Sequence, residues 1–424
     1  MTLEERRERL KHVQSGKPFA TGYELLYRGS LKPFEVWQIP IEALVYNPFN
    51  GRIGSVVKSF QKKDHALDPE NPKDAEVIEK FLWESKEDSN KKTYESIKRT
   101  GQIKVGIVTA DGLIIDGNRR CSLMNRVRKD PHATQEEKDR CAYFKAVILP
   151  ENAEQKDIMQ LETSFQMGED AKVDYNPIEK YLKCRDLESV GFTRDEIANF
   201  MSITKKEIDT DLDILELMDQ YLSYFSYDGI YTMAEGHEDS FQKLNAALKQ
   251  YRSGVAAMWD FTEEDINDLT AISFDYIRMG LPQDDIRDIF RKPGKNSSIF
   301  GNKDRWQRLK GKHDEIIDSV PEEDIDDVYA RSTGNDLTSL LKARDNAWKE
   351  KTEEPLTKIF KEAQDEVDSE NKANAPVELI NKAQNALASI NPESPGFEKN
   401  VTVILSGLKK LVDLANNLQK AAEK

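Results

Sequence analysis

The sequence has few of the residues that build disulfides and metal sites. Its 424 residues include three cysteines and five histidines. Cys121, Cys141 and Cys184 form no Cys-x-x-Cys pair, and an odd number of cysteines argues against a disulfide framework. The histidines are scattered and lack the spacing of metal ligands. We therefore expect a reduced protein without a metal site that the sequence makes evident.

Long apolar runs are also lacking. No stretch approaches the ~20 apolar residues that a membrane-spanning helix needs, and the charged start at Thr2–Arg9 lacks the apolar core of a signal peptide. Lys and Arg total 62 against 77 Asp and Glu, which gives a net charge of −15. Such a chain needs a local basic patch to bind nucleic acid. These features predict a soluble, cytoplasmic protein with no membrane partner.

The order of apolar and turn residues predicts an α+β chain. Residues 60–95 are polar, contain Asp-Pro and Asn-Pro turns, and are predicted to be an insertion. Beyond Pro150 the pattern is helical, with three breaks. The predicted strands are Phe34–Pro40, Ile103–Thr109, Leu113–Ile115 and Tyr143–Leu149.

A glycine and two arginines stand where one strand turns into a helix, in Asp116-Gly117-Asn118-Arg119-Arg120. A helix N-terminus offers unpaired N–H groups and the positive end of a dipole, which suits a phosphate. Gly117 allows close approach, and two guanidinium groups can bind phosphate oxygens bidentately. The alternative is that Asp116 or Asn118 caps the helix and the arginines are solvated.

Four segments in this order resemble the ParB family. Tyr94–Val127 resembles the core of its N-terminal domain and includes a Gly-x-Arg-Arg motif that opens a helix. Phe34–Arg52 resembles the family's opening strand and Asn-Pro…Arg segment, and Asp174–Glu179 resembles its Asp-Leu-Asn-Pro-Ile-Glu. Phe192–Thr210 is similar to its helix-turn-helix. The resemblance covers roughly residues 34–215 and implies a ParB/sulfiredoxin-like N-terminal domain.

In the ParB family the Gly-x-Arg-Arg turn binds a nucleoside triphosphate, usually CTP, with Mg²⁺. The resemblance therefore implies that CTP or ATP is bound by Gly117, Asn118, Arg119 and Arg120, with Arg52 contributing from the neighbouring segment. Such a protein is a possible NTPase.

The family's second motif, Glu-Asn followed by an Arg, falls on Glu162-Thr163-Ser164-Phe165-Gln166. Glu162 is the candidate nucleotide-binding and Mg²⁺-side carboxylate. Thr163 stands in place of the metal-facing Asn, and Gln166 in place of the phosphate-facing Arg. Because the residues at both positions differ from the family's metal-facing and phosphate-facing residues, it stays open whether the nucleotide is hydrolysed and which nucleotide is bound.

Two capping boxes, Thr193–Glu196 and Thr204–Glu207, predict the short helices of a helix-turn-helix. Lys205 and Lys206 would enter a major groove at the start of the second helix. From Thr204 to Gln220, however, six acidic residues stand against these two lysines, and net negative charge weakens phosphate contacts. The element is therefore either a DNA reader or a retained structural module.

The largest local excess of positive charge lies at Arg291–His313, which we call the basic island. It also contains Phe300 and Trp306, which can stack on bases or pack in a core. The island is either a nucleic-acid surface or the intramolecular partner of the acidic run that follows it. The candidate DNA contacts in it are Lys303, Arg305, Arg308 and Lys310.

Apolar residues recur at alternating spacings of three and four near the end of the chain. This seam predicts an amphipathic helix that either forms a homodimer or covers the chain's own helical core. A second seam, Ile380–Ile390, lies before the turn at Asn391–Gly396. The first seam consists of Val401, Ile404, Leu408, Leu411, Ala415, Leu418 and Ala422.

Taken together, the sequence predicts a nucleotide-binding, DNA-associated, ParB-like protein in which the bound triphosphate switches conformation or dimer state. One alternative is a nucleotide-sensing or nuclease module of a phage-defence or mobile-element system, and another is a non-catalytic adaptor that retains the fold. The C-terminal half is predicted to be all-α. The predicted segments are a lead-in helix (1–33), a nucleotide-binding domain (34–150), a helix-turn-helix domain (151–235), a helical domain with the basic island (236–335) and a C-terminal helical bundle or dimerisation region (336–424).

Overall fold

The computed structural model describes residues 1–167, 176–254, 259–291, 298–332 and 337–423. The chain divides into two units, Met1–Phe360 and Lys361–Lys424. Its class is mixed α+β, with a five-stranded sheet near the N-terminus and a mostly helical remainder. These two units are coarser than the five segments predicted from the sequence.

The sheet has the strand order β1-β2-β5-β3-β4. Strands β5 and β3 are parallel, and every other neighbouring pair is antiparallel. The strands are β1 (Ala20–Tyr27), β2 (Ser30–Pro40), β3 (Gly106–Val108), β4 (Ile114–Asp116) and β5 (Tyr143–Ile148). The helices of this part are α1 (Leu3–Gln14), α2 (Gly54–Lys63), α3 (Pro72–Glu84), α4 (Glu87–Thr100), α5 (Asn118–Lys129), α6 (Gln135–Arg140) and α7 (Gln155–Met167).

Both faces of the sheet are buried, which explains the continuous apolar runs of its central strands. Successive side chains of a strand point to opposite faces. Val108 and Ile114 accordingly pack in the core that includes residues of α1 to α5. Ile107 and Ile115 pack in the other core with Leu161 of α7. The sheet is thus fixed between two helical layers.

Residues 60–95, predicted to be a polar insertion, are mostly helical and contribute apolar residues of α3 to the core. Asn71 caps α3 through its side chain and Pro72 occupies the first turn, which is a helix start rather than a loop signal. Ile78, Phe81 and Leu82 then bury one face of α3 in the core. The lead-in segment differs as well, because β1 follows α1 and pairs with β2.

The helical remainder begins with α8, α9 and α10, which share a small core that includes Cys184, Ile197 and Ile208. No helix within the described ranges is long and apolar enough to cross a membrane. The helices are α8 (Pro177–Ser189), α9 (Arg194–Met201), α10 (Lys205–Tyr224), α11 (Glu238–Arg252), α12 (Glu263–Met279), α13 (Gln283–Phe290), α14 (Lys303–Ser319), α15 (Ile325–Arg331), α16 (Leu337–Ala388), α17 (Pro395–Lys399) and α18 (Val401–Ala422).

Candidate functional site

The turn from β4 into α5 is built on a left-handed glycine. Gly117 has φ of 100°, and a Cβ there would lie 2.7 Å from Cζ of Phe144. The N-cap of α5 is Gly117, which has no side chain to cap the helix, so the N-cap position is held by neither Asp116 nor Asn118. The first turn of α5 is therefore left without a side-chain acceptor from its own cap.

Asn118 joins this turn to the Asn-Pro segment. Its side chain is buried, and its Oδ1 accepts a hydrogen bond from the Asn47 amide at 2.8 Å. Its Nδ2 donates to the Ile114 carbonyl at 3.0 Å. Asn118 is thus a positioning residue that holds residues 47–52 beside the start of α5.

The result is a cleft of about 110 Å³, which we call the arginine cleft, lined by Arg52, Asp116, Gly117, Asn118, Arg119 and Arg120. The structure brings together all of the predicted nucleotide-binding residues except Glu162. Burial raises the pKa of Asp116, and the positive charges of Arg120, Arg52 and Lys104 counteract that effect. The turn is therefore surrounded by cationic side chains from three segments.

Arg120 is oriented by its neighbours. Its Nη1 donates to the Lys104 carbonyl at 2.8 Å, and its Nη2 lies 3.8 Å from Oδ2 of Asp116. Its side chain is about one-fifth exposed. Because a guanidinium has five N–H donors, Arg120 retains donors for an anion after making these contacts.

A second cleft, the glutamate cleft, adjoins the first and shares Arg52 and Arg119 with it. It has a volume of about 210 Å³ and is also lined by Ser55, Phe81, Glu179 and Glu235. Glu179 is buried, and its Oε1 accepts hydrogen bonds from the Ser55 amide at 2.9 Å and the Ser55 hydroxyl at 2.7 Å. These bonds tie the start of α2 to α8.

Glu162 lies in a buried ion pair rather than at a cation site. Its Oε2 is 2.6 Å from Nζ of Lys183, and its Oε1 accepts from Nε2 of Gln166 at 3.2 Å. Thr163 donates its hydroxyl to the Met159 carbonyl. An ammonium group already neutralises this carboxylate, so the arrangement here does not favour Mg²⁺, and the metal role of Glu162 stays a prediction. Among the described residues, no three His, Cys, Asp or Glu side chains group as metal ligands do.

The two capping boxes of the predicted helix-turn-helix are confirmed. Thr193 caps α9 with Glu196, and Thr204 caps α10 with Glu207. Lys205 forms an ion pair with Asp195 at 2.7 Å, while Lys206 is exposed. The start of α10 is accordingly accessible, although one of its two cations has an acidic partner.

The basic island is not a continuous surface. Arg305 and Trp306 are fully buried, and Arg305 donates through Nη2 to the Ser298 carbonyl at 2.9 Å. Arg305 therefore does not belong to an exposed DNA surface, and its predicted contact is corrected. Lys310 pairs with Asp268 of α12. Lys303 and Arg308 are exposed on α14, whereas Lys292 and Lys295 lie outside the described residues.

Ser55, Lys183 and Glu235 were not predicted from the sequence. A glycine and a serine before an apolar helical face, at Gly54-Ser55, are a signal that could have placed the start of α2. In the sequence, Glu179 stands out only as part of the Asn-Pro-Ile-Glu segment. Its partner Ser55 is 124 residues away, and no local pattern reveals a contact at that separation.

Comparison with known proteins gives no assignment. No protein-family model matches the chain, and none of the curated proteins matches it.

Proposed function

We propose that this protein binds a nucleoside triphosphate, CTP or ATP, in the arginine cleft, and that the bound nucleotide alters the conformation or dimer state of a DNA-associated, ParB-like protein. The observation that supports the proposal is that Arg52, Arg119 and Arg120 line one cleft at the start of α5, where the N-cap is Gly117. Backbone N–H groups at a helix start and charge-assisted bonds from arginine are the usual means of holding phosphates.

A coupling from the nucleotide to the helical part would run through α2. Arg52 lies two residues before this helix, and Ser55 in its first turn bonds to Glu179 of α8 and Glu235 before α11. A phosphate that draws Arg52 toward it displaces the start of α2, and with it these two contacts. This arrangement supports a switch between two packings of the helical part against the sheet.

Calorimetric titration with CTP, ATP and GTP, each with Mg²⁺ and with or without duplex DNA, tests the proposal. The double variant Arg119→Ala/Arg120→Ala should lose at least about a hundredfold in affinity, because charge-assisted hydrogen bonds are worth ~1.5–3 kcal/mol each. The matched control Arg9→Ala/Arg99→Ala removes the same charge from exposed helix positions and should bind like the wild type.

Thermal unfolding of the double variant accompanies the titration, since Arg120 also bonds to the Lys104 carbonyl. A folded variant that binds as tightly as the wild type would contradict the assignment to this turn. A wild type that binds no triphosphate at millimolar concentration would contradict the nucleotide-binding function itself.

The non-catalytic adaptor is the second candidate, and the Glu162–Lys183 pair favours it. A carboxylate already paired with a buried ammonium is not available to a hydrolytic centre, and Gln166 donates to that same carboxylate. Sensitive measurement of phosphate release with CTP and ATP distinguishes the two. Binding without release supports a binding protein that does not turn over its ligand, whereas steady release requires another catalytic group.

A further inference from the structure

The arginine cleft contains a carboxylate beside its three arginines. Asp116 is the last residue of β4, and its backbone is held in the sheet opposite Ile107. Its Oδ2 lies 3.8 Å from Nη2 of Arg120, which is longer than a hydrogen bond, while Nη1 of Arg120 donates to the Lys104 carbonyl. An ionised carboxylate has about four lone-pair sites, so Asp116 has acceptor capacity for a ligand in the cleft.

The charged groups that face Asp116 come from several elements. Arg120 of α5, Arg52 before α2 and Lys104 before β3 favour its ionised form, but burial outweighs them and raises its pKa. Tyr23 of β1 is close enough for the charge of Asp116 to raise the pKa of its phenol. Among the described residues, Asp116 is the only acidic side chain that lines the cleft. The remaining lining residues are Asn50, Thr93, Gly117, Asn118, Arg119 and Gln166, of which only Arg119 is charged.

The small size of the cleft brings a bound phosphate close to this carboxylate. The volume of about 110 Å³ is well below the roughly 300–1,000 Å³ of sites that enclose a whole small molecule. It suits one phosphate group, with the rest of a triphosphate at the mouth of the cleft. A phosphate that binds Arg120 in this space also meets Asp116, because the two side chains are 3.8 Å apart.

A phosphate oxygen and a carboxylate oxygen in contact need a proton between them. Both groups are acceptors when they are ionised. Two negative charges that share a site raise each other's pKa, and the pair then holds one proton in common. The second proton of a phosphate monoester titrates slightly below neutral pH, so a modest rise keeps it bound at neutral pH. This proton comes from solvent, and an O–H bond is the only bond that forms.

We propose that Asp116 shares one proton with the phosphate group bound in the arginine cleft, and that it is thereby the residue that selects phosphate over sulfate. This inference rests on the proposed nucleotide binding. Inorganic phosphate carries a proton at neutral pH, whereas sulfate has the same shape and carries none. Sulfate therefore presents only acceptors to the carboxylate, and a site that depends on a hydrogen bond rejects the analogue that lacks the donor.

Proton uptake on binding tests the shared proton. Calorimetric titration with ATP and CTP, with and without Mg²⁺, is carried out in two buffers of different ionisation enthalpy. At about pH 8 the free triphosphate is ionised, and we expect the wild type to take up about one proton per ligand without Mg²⁺. Asp116→Asn keeps the shape and removes the charge, so it should take up at most about 0.2 protons and bind more tightly at this pH. Asp284→Asn, whose side chain is 82% exposed on α13, is the control and should behave like the wild type.

Competition between two anions of equal charge tests the selectivity. At about pH 8 inorganic phosphate and sulfate both carry two negative charges, but only phosphate keeps a proton. Displacing the bound triphosphate from the wild type should need at least about tenfold more sulfate than phosphate. Asp116→Asn should reduce that ratio at least about fivefold, and Asp284→Asn should leave it unchanged.

The outcomes separate this inference from the proposed function. A wild type that binds no triphosphate, with or without Mg²⁺, contradicts both. If the triphosphate binds with uptake of fewer than about 0.2 protons, or if the two anions displace it equally, nucleotide binding stands and the role of Asp116 is overturned. Proton uptake that Asp116→Asn retains also overturns it, and the wild-type measurements decide the point even if the variant fails to fold.

Discussion

At the scale of the residue, Gly117 is the position where backbone and packing constraints coincide. Gly117→Ala would add a Cβ in a left-handed conformation, 2.7 Å from Cζ of Phe144. The backbone penalty is about 1 kcal/mol and overpacking typically adds about 1–3 kcal/mol. We expect the free energy of unfolding to fall by about 2–4 kcal/mol, measured by urea denaturation.

Gly191→Ala is the matched control for that prediction. Gly191 also has a positive φ, of 88°, but a Cβ there would meet no atom within 4 Å. It should therefore lose only the backbone contribution of about 1 kcal/mol. Equal losses in the two variants would show that Phe144 does not constrain the turn.

The buried pair of Glu162 and Lys183 gives a second prediction at this scale. Both side chains are at most 5% exposed, and removing one partner of a buried pair typically costs about 3–5 kcal/mol because the other charge is left uncompensated. We expect Lys183→Met to lower the free energy of unfolding by that amount. Adding Glu162→Gln to it should recover a large part of the loss, since the uncompensated charge is then gone.

Lys58→Met is the control. Lys58 of α2 pairs at 2.8 Å with Asp186, which lies on α8 as Lys183 does, but both side chains of this pair are about one-third or more exposed. Exposed pairs contribute about 0–1 kcal/mol. A loss at Lys183 no larger than that at Lys58 would contradict the structural role of the buried pair, and would reopen a ligand-binding role for Glu162.

At the scale of the element, the proposed DNA association has two candidate surfaces, α10 and α14. Acidic residues follow the two lysines of α10, and Lys205 is paired with Asp195. If the protein binds duplex, Lys303→Ala/Arg308→Ala/Lys310→Ala should therefore weaken binding more than Lys205→Ala/Lys206→Ala. Each lost phosphate contact lowers the slope of log affinity against log salt concentration by about 0.9. Fluorescence anisotropy across a series of salt concentrations measures the affinity and this slope.

Lys73→Ala/Lys92→Ala, two exposed lysines of α3 and α4, controls for net charge. If the α10 variant loses binding and the α14 variant keeps it, the assignment is reversed and α10 is the DNA-reading helix. Arg305 is left unchanged in these variants. Its side chain is buried, so its substitution would create a cavity and would not test a surface contact.

At the scale of the whole molecule, the prediction concerns self-association through α18. No residue of this helix is buried, and its apolar residues include Leu411 and Leu418, which are 42% and 63% exposed. Exposed seams of this spacing are typical of helices that pair. We expect light scattering to report a dimer of the intact chain at tens of micromolar, and a monomer for Leu411→Glu/Leu418→Glu.

The variant Ser406→Glu/Asn416→Glu adds the same charge outside the seam and should remain dimeric. An intact chain that stays monomeric with and without nucleotide would contradict the dimer-state part of the proposed function. It would leave nucleotide binding itself unaffected, because the arginine cleft is formed within residues 50–120 and 166.

The sequence by itself determined the features that depend on near neighbours. Gly117 at a strand–helix turn, the boxes at Thr193 and Thr204, and the apolar seam of α18 all follow from patterns within one or two helical turns. Residues 60–95 show the limit of such patterns, because Asn-Pro begins a helix as readily as it makes a turn.

Only the tertiary structure decided which of these residues are available to a ligand. Ser55 meets Glu179 across 124 residues, Lys183 neutralises Glu162, and Arg305 turns into the core. Each outcome depends on which distant charge or apolar surface packs beside the residue. Composition and spacing do not reveal which distant group packs beside a residue, because burial and ion pairing are set by contacts between elements and not within them.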